Sequence, residues 1–386
     1  MQTKRFRLSA MTGLVILATA AEGRAQGFDS GSDGSLGDVT ISANTNLALP
    51  DDGVFHYQKL TVNAGVTVNY TPNALNTPVF ILSQDDVTIA GTLNVDGVAG
   101  TSNPPVGGRG GPGGFAGGTP GFGAIGPGAG HGPGAGPAGN GRGSYGGLAI
   151  STPRGSTYGS GLLVPMLGGS GGGGTAGTPG DGGHGGGGAI LLASNTRIIV
   201  SGSIVARGGH ATTCCPAGGA GSGGAIRFVS PVLQGSGTLN VNGGSDNAGG
   251  TRGGHGRIRI DTIDRSAMTY TFTPLTAVAI GTFLKVFLDN PPKLEIIEVA
   301  GEVIPPGAPA TVILPFGSDP NQIVRVRAAN FPDGTTVPIR VTLTPDSGAP
   351  STFDADILMG MAPTEMDVNV ALPINNTTRV HVWTPP

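Results

Sequence analysis

The chain has 386 residues and a formal net charge of −3, with only 12 % charged and 5 % aromatic residues, and 73 glycines against the ~7 % usual in proteins. It has no basic field to hold nucleic acid, no strict Gly-x-y phase to make a collagen, and too little charge for charge-driven disorder. Helical periodicity is nearly absent after residue 25, which sets the chain apart from α/β enzymes of this length.

Residues 1–25 read as a secretory signal peptide. Lys4, Arg5 and Arg7 give a positive start, residues 8–21 an apolar stretch, and small residues allow cleavage after Ala20 or Ala25. The apolar stretch is shorter than the ~20 residues that span a bilayer, and no later segment is apolar enough, so no transmembrane segment is expected in the mature chain. The expected address is secreted, extracellular or at the cell surface, with the periplasm as the alternative. Residues 27–38 form a polar leader. Asp29, Asp33 and Asp38 loosely imitate a calcium loop, but Gly31 and Thr40 stand where ligands are needed.

Strand-like units follow at 39–42, 46–49, 60–70, 79–83 and 87–97, with apolar residues alternating with Thr, Asn and Ser. The pattern returns after residue 188 and again after 224 and 256. Ala189, Ala225 and Arg257 mark equivalent points 36 and 32 residues apart, and Leu60 and Val87 are 27 apart. Short β-rich pieces separated by glycine turns at such intervals indicate a repeat architecture, in which stacking buries a column that no single repeat could bury. A right-handed parallel β-helix is expected over residues 26–265, with Asn94, Asn240 and Asn242 in outward polar ladders. An antiparallel sandwich or barrel is the competing arrangement, but it would need regular short hairpins.

Residues 98–188 interrupt the coil, and 101–188 alone hold 38 of the glycines. Two readings stay open here: a flexible loop, or a packed array of polyproline-II-like runs. Scattered Phe115, Phe122, Ile125, Tyr145, Leu148, Ile150, Leu162, Leu163, Val164, Met166 and Leu167 favour some order. From about 265 glycine thins out. Residues 266–290 read as a connector, and 291–386 as seven short strands at 294–299, 310–314, 323–328, 337–343, 353–357, 366–372 and 378–383. That pattern fits an immunoglobulin-like β-sandwich without its Cys–Trp–Cys signature, with Trp383 as a core or edge aromatic. The expected fold class is therefore all-β.

The repeated Gly-Gly-Ala-Ile and Gly-Thr-Leu-Asn-Val units resemble glycine-rich bacterial secreted β-helix proteins of the pectin-lyase-like superfamily, at fold level and over residues 39–265. The glycine-rich segment is similar in composition to polyglycine segments of phage-tip adhesins. The resemblance implies lyases, hydrolases, adhesins or structural surface proteins, and a fold does not choose among them.

Glycosidase chemistry needs two carboxyl groups a few ångströms apart. Asp85 and Asp86 form a turn pair, Asp96 stands alone, and Asp246, Asp261 and Asp264 are scattered. His255 with Arg257 and Arg259 lacks an evident carboxylate partner, and Arg207 is a weak choice for a lyase base. No catalytic residue is assigned. Asp181, His184, His210, Cys214, Cys215 and His255 all fall in turns beside the repeats and are the candidate ligands for a divalent metal such as zinc or copper. Cys214 and Cys215 are the only cysteines. They read as a strained vicinal disulfide, two free thiols or part of that metal site. The expected role is a structural or adhesive protein outside the cell, assembling with itself into fibres or holding extracellular polysaccharide or a cell surface. The alternative is a polysaccharide-binding or polysaccharide-degrading enzyme.

Overall fold

The computed structural model describes residues 27–210, 218–245, 252–306 and 310–385. The signal peptide, Cys214, Cys215 and Asp246 lie outside the described residues.

Alternating apolar residues wind the first part of the chain into a coil with three faces, each a parallel sheet of six strands. The first face holds Asp38–Ile41, Lys59–Val62, Val87–Ile89, Arg197–Val200, Val232–Gly235 and Asp264–Met268. The second holds Thr45–Ala48, Thr67–Thr71, Thr92–Asn94, Ser203–Val205, Thr238–Asn240 and Thr271–Thr273. The third holds Val54–Tyr57, Val79–Ser83, Ala189–Ser194, Ala225–Val229, Arg257–Asp261 and Val278–Gly281. The repeat points read from the sequence are registered partners: Ala189 pairs with Ala225, Ala225 with Arg257, and Leu60 with Val87. The three parallel sheets run on through Gly281, so residues 266–281, read from the sequence as connector, contribute paired strands.

Inside the coil, equivalent positions stack into columns. Leu60, Val87, Ile198 and Leu233 form one on the first face, and Val68, Leu93, Ile204 and Leu239 form another on the second; all are fully buried. Each such side chain contributes about 1.5–3 kcal/mol of hydrophobic stabilisation. The outer surface of the third face is covered as well. There Leu82, Leu191, Ala193 and Val229 pack with Tyr145, Tyr158, Leu163 and Met166 of the glycine-rich segment and with Val286. Tyr145, Leu163 and Met166 therefore anchor the segment, whereas Phe122, Ile125, Leu148, Ile150 and Leu162 are exposed.

Every long excursion leaves the coil at the same corner, from the second face to the third: after Asn94, after Val205 and after Asn240. Stacking of the turns brings these excursions side by side, and residues 95–188 are an ordered array. The run 182–188 shows its logic. Gly183 and Gly186 donate to Gly118 and Phe115, His184 and Gly187 to Gly219 and Ser222, and Gly185 and Gly188 to Val98 and Val95. In return Gly183 and Gly186 accept from Gly108 and Gly111, His184 and Gly187 from Gly172 and Gly169, and Gly185 from Gly209. Six extended runs thus surround one. The three-residue period of donors and acceptors is that of polyproline II, a helix with no internal hydrogen bonds, whose backbone groups must be satisfied from outside. Such an approach leaves no room for side chains: a Cβ on Gly186 would lie far inside van der Waals contact with the Gly169 carbonyl oxygen.

The last part of the chain forms two antiparallel sheets. Lys293–Val299 lies between Glu302–Val303 and Asn321–Ala329, the latter also pairing with Thr364–Ala371. Thr336–Pro345 lies between Ser351–Leu358 and Thr378–Trp383. Val324, Val326, Ile339, Val341, Leu343, Ile357 and Val368 share one core. Six of the seven strands expected here form. The exception is 310–314, which is not a strand: Ile313 is exposed and the segment has no ladder partner. The short Glu302–Val303 takes the edge beside Lys293–Val299 instead. Among the described residues no helix is long and apolar enough to cross a membrane.

The antiparallel sheets dock onto the array. Ser347 Oγ donates to the Gly126 carbonyl (2.9 Å), Gly348 N–H to that of Pro127 (3.2 Å), and Thr119 Oγ1 to that of Asp346. At the centre Arg379 Nη1 donates to His131 Nε2 at 2.7 Å, with Asp346 3.6 Å from the same guanidinium nitrogen. His381 stacks on Trp383 and meets Phe115 edge-on. Burial, reinforced by Arg379, pushes His131 down to about 3 and His381 down to about 4.

Two experiments test this account. Gly186→Ala is expected to lower stability by about 1–3 kcal/mol or more, read as a fall in Tm. Gly161→Ala, where the added methyl meets nothing, should leave Tm nearly unchanged. For the histidines the folded state binds fewer protons than the unfolded state between the unfolded value of 6.5 and the folded values. Their contribution is therefore present above pH 6.5 and is lost as pH falls, on the order of 2–3 kcal/mol per histidine near pH 4.5. Urea unfolding across pH 4.5–7.5 should show this slope, and His131→Gln with His381→Gln should flatten it.

Candidate functional site

At the corner where the second face gives way to the array, three turns of the coil end alike: Asn94-Val95-Asp96-Gly97, Val205-Ala206-Arg207-Gly208 and Asn240-Val241-Asn242-Gly243. Val95, Ala206 and Val241 point into the core and are buried, so the residues on either side face outward. Two of the turns are fixed by the same contact: Asn94 Oδ1 accepts from Asp96 N–H at 2.9 Å, and Asn240 Oδ1 from Asn242 N–H at 3.0 Å.

These turns border a groove of about 520 Å³. Its floor is backbone, at Gly97, Gly208, Gly243 and Gly244, and its walls carry Asp96, Arg207, Asn240, Asn242, His210 and Arg252. Asp96 and Arg207 from adjacent turns close on each other: Asp96 Oδ2 accepts from Arg207 Nε (2.9 Å) and Nη2 (2.6 Å), and Asp96 Oδ1 from Arg207 N–H (2.6 Å). That carboxylate raises the Arg207 pKa further. Across the groove His210 Nδ1 and Ser245 Oγ are 2.8 Å apart. The described lining has donors and acceptors in quantity, no aromatic platform and one carboxylate. It suits a hydroxyl-rich ligand held by hydrogen bonds; two-carboxylate glycoside hydrolysis would need a second acid.

The second face continues this polar surface. Thr67, Thr92, Ser203, Thr238 and Thr271 are in register and form a row of hydroxyls. Asn94 Nδ2 donates to Asn69 Oδ1 (2.9 Å) and Asn69 Nδ2 to Asn46 Oδ1 (3.0 Å). The asparagine ladder therefore runs through Asn46, Asn69 and Asn94 and does not link Asn94 to Asn240 and Asn242. Val205 occupies the intervening register position, and its side chain cannot pass the chain of amides on.

Asp86, Asp261 and Asp264, weighed above as possible catalytic carboxylates, have structural partners. Asp86 pairs with Arg197 (2.8 Å) and accepts from Thr196 Oγ1. Asp261 is fully buried: its Oδ1 accepts from Arg259 Nε and Nη2 and from Phe283 N–H, and its Oδ2 lies 3.5 Å from Arg227 Nη2. Arg227, itself buried, donates to the carbonyls of Lys285 and Val286 and lies over the Phe283 ring. This cluster ties residues 283–286 to the third face. Asp264 caps its own turn through Ser266 N–H, which holds it below the usual carboxylate range.

The candidate metal ligands among the described residues occupy separate settings. His184 lies inside the array with Nδ1 accepting from Gly100 N–H at 2.9 Å, and Asp181 donates its backbone N–H to Thr175 Oγ1. His210 is at the groove, and His255 Nδ1 lies 2.9 Å from the Gly256 carbonyl. Among the described residues no three His, Cys, Asp or Glu are close enough together to hold a metal ion. Arg252 and Ser245 were not singled out from the sequence. The repeated Asn-x-Asp/Asn-Gly at the end of the second-face strands was the available signal, since it marks equivalent turns that stacking must align.

Asp261→Asn is expected to lower stability by about 3 kcal/mol, seen in urea unfolding, because the buried Arg227 and the partly buried Arg259 lose their counter-charge.

No family model, no curated protein and no solved structure matches the chain. The stacked parallel sheets agree with the β-helix resemblance at the level of architecture.

Proposed function

We propose that the chain is a secreted structural or adhesive protein, a right-handed β-helix of the pectin-lyase-like kind carrying an immunoglobulin-like sandwich. It works outside the cell and holds polysaccharide along the groove and second face. The observation that carries this reading is the groove itself. Its Asp96–Arg207 pair is closed by three hydrogen bonds, and amides, hydroxyl and backbone make up most of the remaining polar surface. Such a surface matches sugar hydroxyls along an extended chain and leaves Asp96, the one carboxylate of the described lining, engaged. The regular row of Thr and Ser hydroxyls adds repeated contacts, so that weak individual interactions sum along one polymer.

The alternative is a polysaccharide-degrading enzyme, favoured by the presence of Asp96, Arg207 and His210 around one groove. A panel of soluble and insoluble polysaccharides separates the two. Co-sedimentation and affinity electrophoresis should show retention, weakened at least about tenfold by Asn240→Ala with Asn242→Ala, the scale of one or two lost hydrogen bonds. Release of reducing or unsaturated ends, abolished by Asp96→Asn, would replace the adhesive reading with the enzymatic one.

A further inference from the structure

The two ends of the coil are complementary steps. The chain enters on the first face at Asp38–Ile41 and leaves on the third face at Val278–Gly281, so each face has six strands and the winding stops a whole number of turns after it began. At the starting end the outermost strands are Asp38–Ile41, Thr45–Ala48 and Val54–Tyr57, one on each face. At the finishing end they are Asp264–Met268, Thr271–Thr273 and Val278–Gly281, again one on each face. Among the described residues no further strand pairs with any of these six edges.

The core is open at the same two places. Six apolar residues pack against the coil core while staying only partly buried: Val39, Ile41 and Leu47 at the starting end, and Met268, Phe272 and Val278 at the finishing end. Four of the five residues of Asp264–Met268 are exposed, and Leu275 and Ile280 beside them are exposed too. Solenoids ordinarily close such ends with a polar capping element. Here the described connection over the finishing end is a single three-residue 3-10 turn, Leu275–Ala277.

We propose that the coil ends bind each other, so that a second copy of this chain stacks head to tail and the three sheets continue from one copy into the next. Seating the second copy places its Asp38–Ile41 beside Asp264–Met268, its Thr45–Ala48 beside Thr271–Thr273 and its Val54–Tyr57 beside Val278–Gly281. No strand is missing or doubled at the junction, because the winding resumes on the face that comes next. The open backbone groups along these edges are satisfied, apart from the Val54 N–H and the His56 carbonyl, which Asp52 Oδ1 and Leu36 N–H already engage, and the two apolar ends cover each other. The contact uses different surfaces on the two copies, so each addition leaves a fresh end and the product is an open filament rather than a closed dimer. This inference rests on the structural reading of the protein above and names its partner.

The test is a complementation experiment on the purified chain by analytical ultracentrifugation and negative-stain electron microscopy. The wild type should give rods that lengthen with concentration. Leu47→Lys blocks the starting end and Phe272→Lys the finishing end. Each variant alone should remain monomeric, and an equimolar mixture should form dimers and nothing longer, since one good junction remains. Circular dichroism checks that each variant keeps its β signal, and Ile41→Lys, on the first face at the same end, replaces Leu47→Lys if that variant unfolds. A wild type that is monomeric up to its solubility limit, or folded variants that polymerise like the wild type, overturns the inference. Polysaccharide retention is measured on the monomeric Leu47→Lys chain. A wild type without filaments but with retention overturns only the stacking, and wild-type filaments without retention overturn only the polysaccharide reading.

Discussion

Main-chain hydrogen bonds between successive turns are the interaction on which the molecule depends. In the coil they form parallel ladders, spaced so that side chains at equivalent positions stack into columns. In the glycine-rich array they run sideways between extended runs, and side chains are almost excluded. The two arrangements share one corner of the coil. The ladder sets the repeat, and the repeat places residues 95–98, 206–209 and 241–244 beside one another. The array is therefore a consequence of the coil: its runs meet because the turns they leave from are already stacked.

The array and the coil also divide the chemistry between them. Glycine gives the array density and satisfied backbone groups, but nothing that could recognise or transform a ligand. Side chains return at the corner groove, with Asp96, Arg207, Asn240 and Asn242, and in the row of hydroxyls on the second face, the surfaces on which the proposed polysaccharide binding rests. Buried ionic groups serve attachment. Arg227, Arg259 and Asp261 fasten the segment leading to the sandwich onto the third face, and His131 with Arg379 fastens the sandwich onto the array. The position of each ion pair within the fold separates a structural carboxylate from one open to substrate, and residue type alone does not.

The coil was legible because its period appears in the sequence: Ala189, Ala225 and Arg257 became direct ladder partners. The order of the glycine-rich segment was less legible. A run of glycines specifies that close approach is allowed, and only the neighbouring excursions, distant in sequence, decide whether it happens. Tyr145, Leu163 and Met166 announced an anchoring surface, yet Phe122 and Ile150 look the same in sequence and are exposed. The stretch 310–314 has strand alternation without a strand, because pairing requires an edge that the local sequence does not describe. The groove was partly legible through its repeated Asn-x-Asp/Asn turns. The break in the asparagine ladder at Val205 required the register to be known.

The six-fold surround of residues 182–188 has a consequence for how the chain comes into being. Its neighbours span residues 95–222, so the centre of the array cannot be completed during synthesis until residues far beyond it have been made. The early coil turns, whose partners are close in sequence, can form first and act as the template, while more than a hundred residues wait for their last neighbours. Contacts of such sequence separation form slowly. The waiting segment is glycine with few apolar side chains, a composition that offers little for other unfinished chains to adhere to. A late-closing array built this way tolerates its long delay.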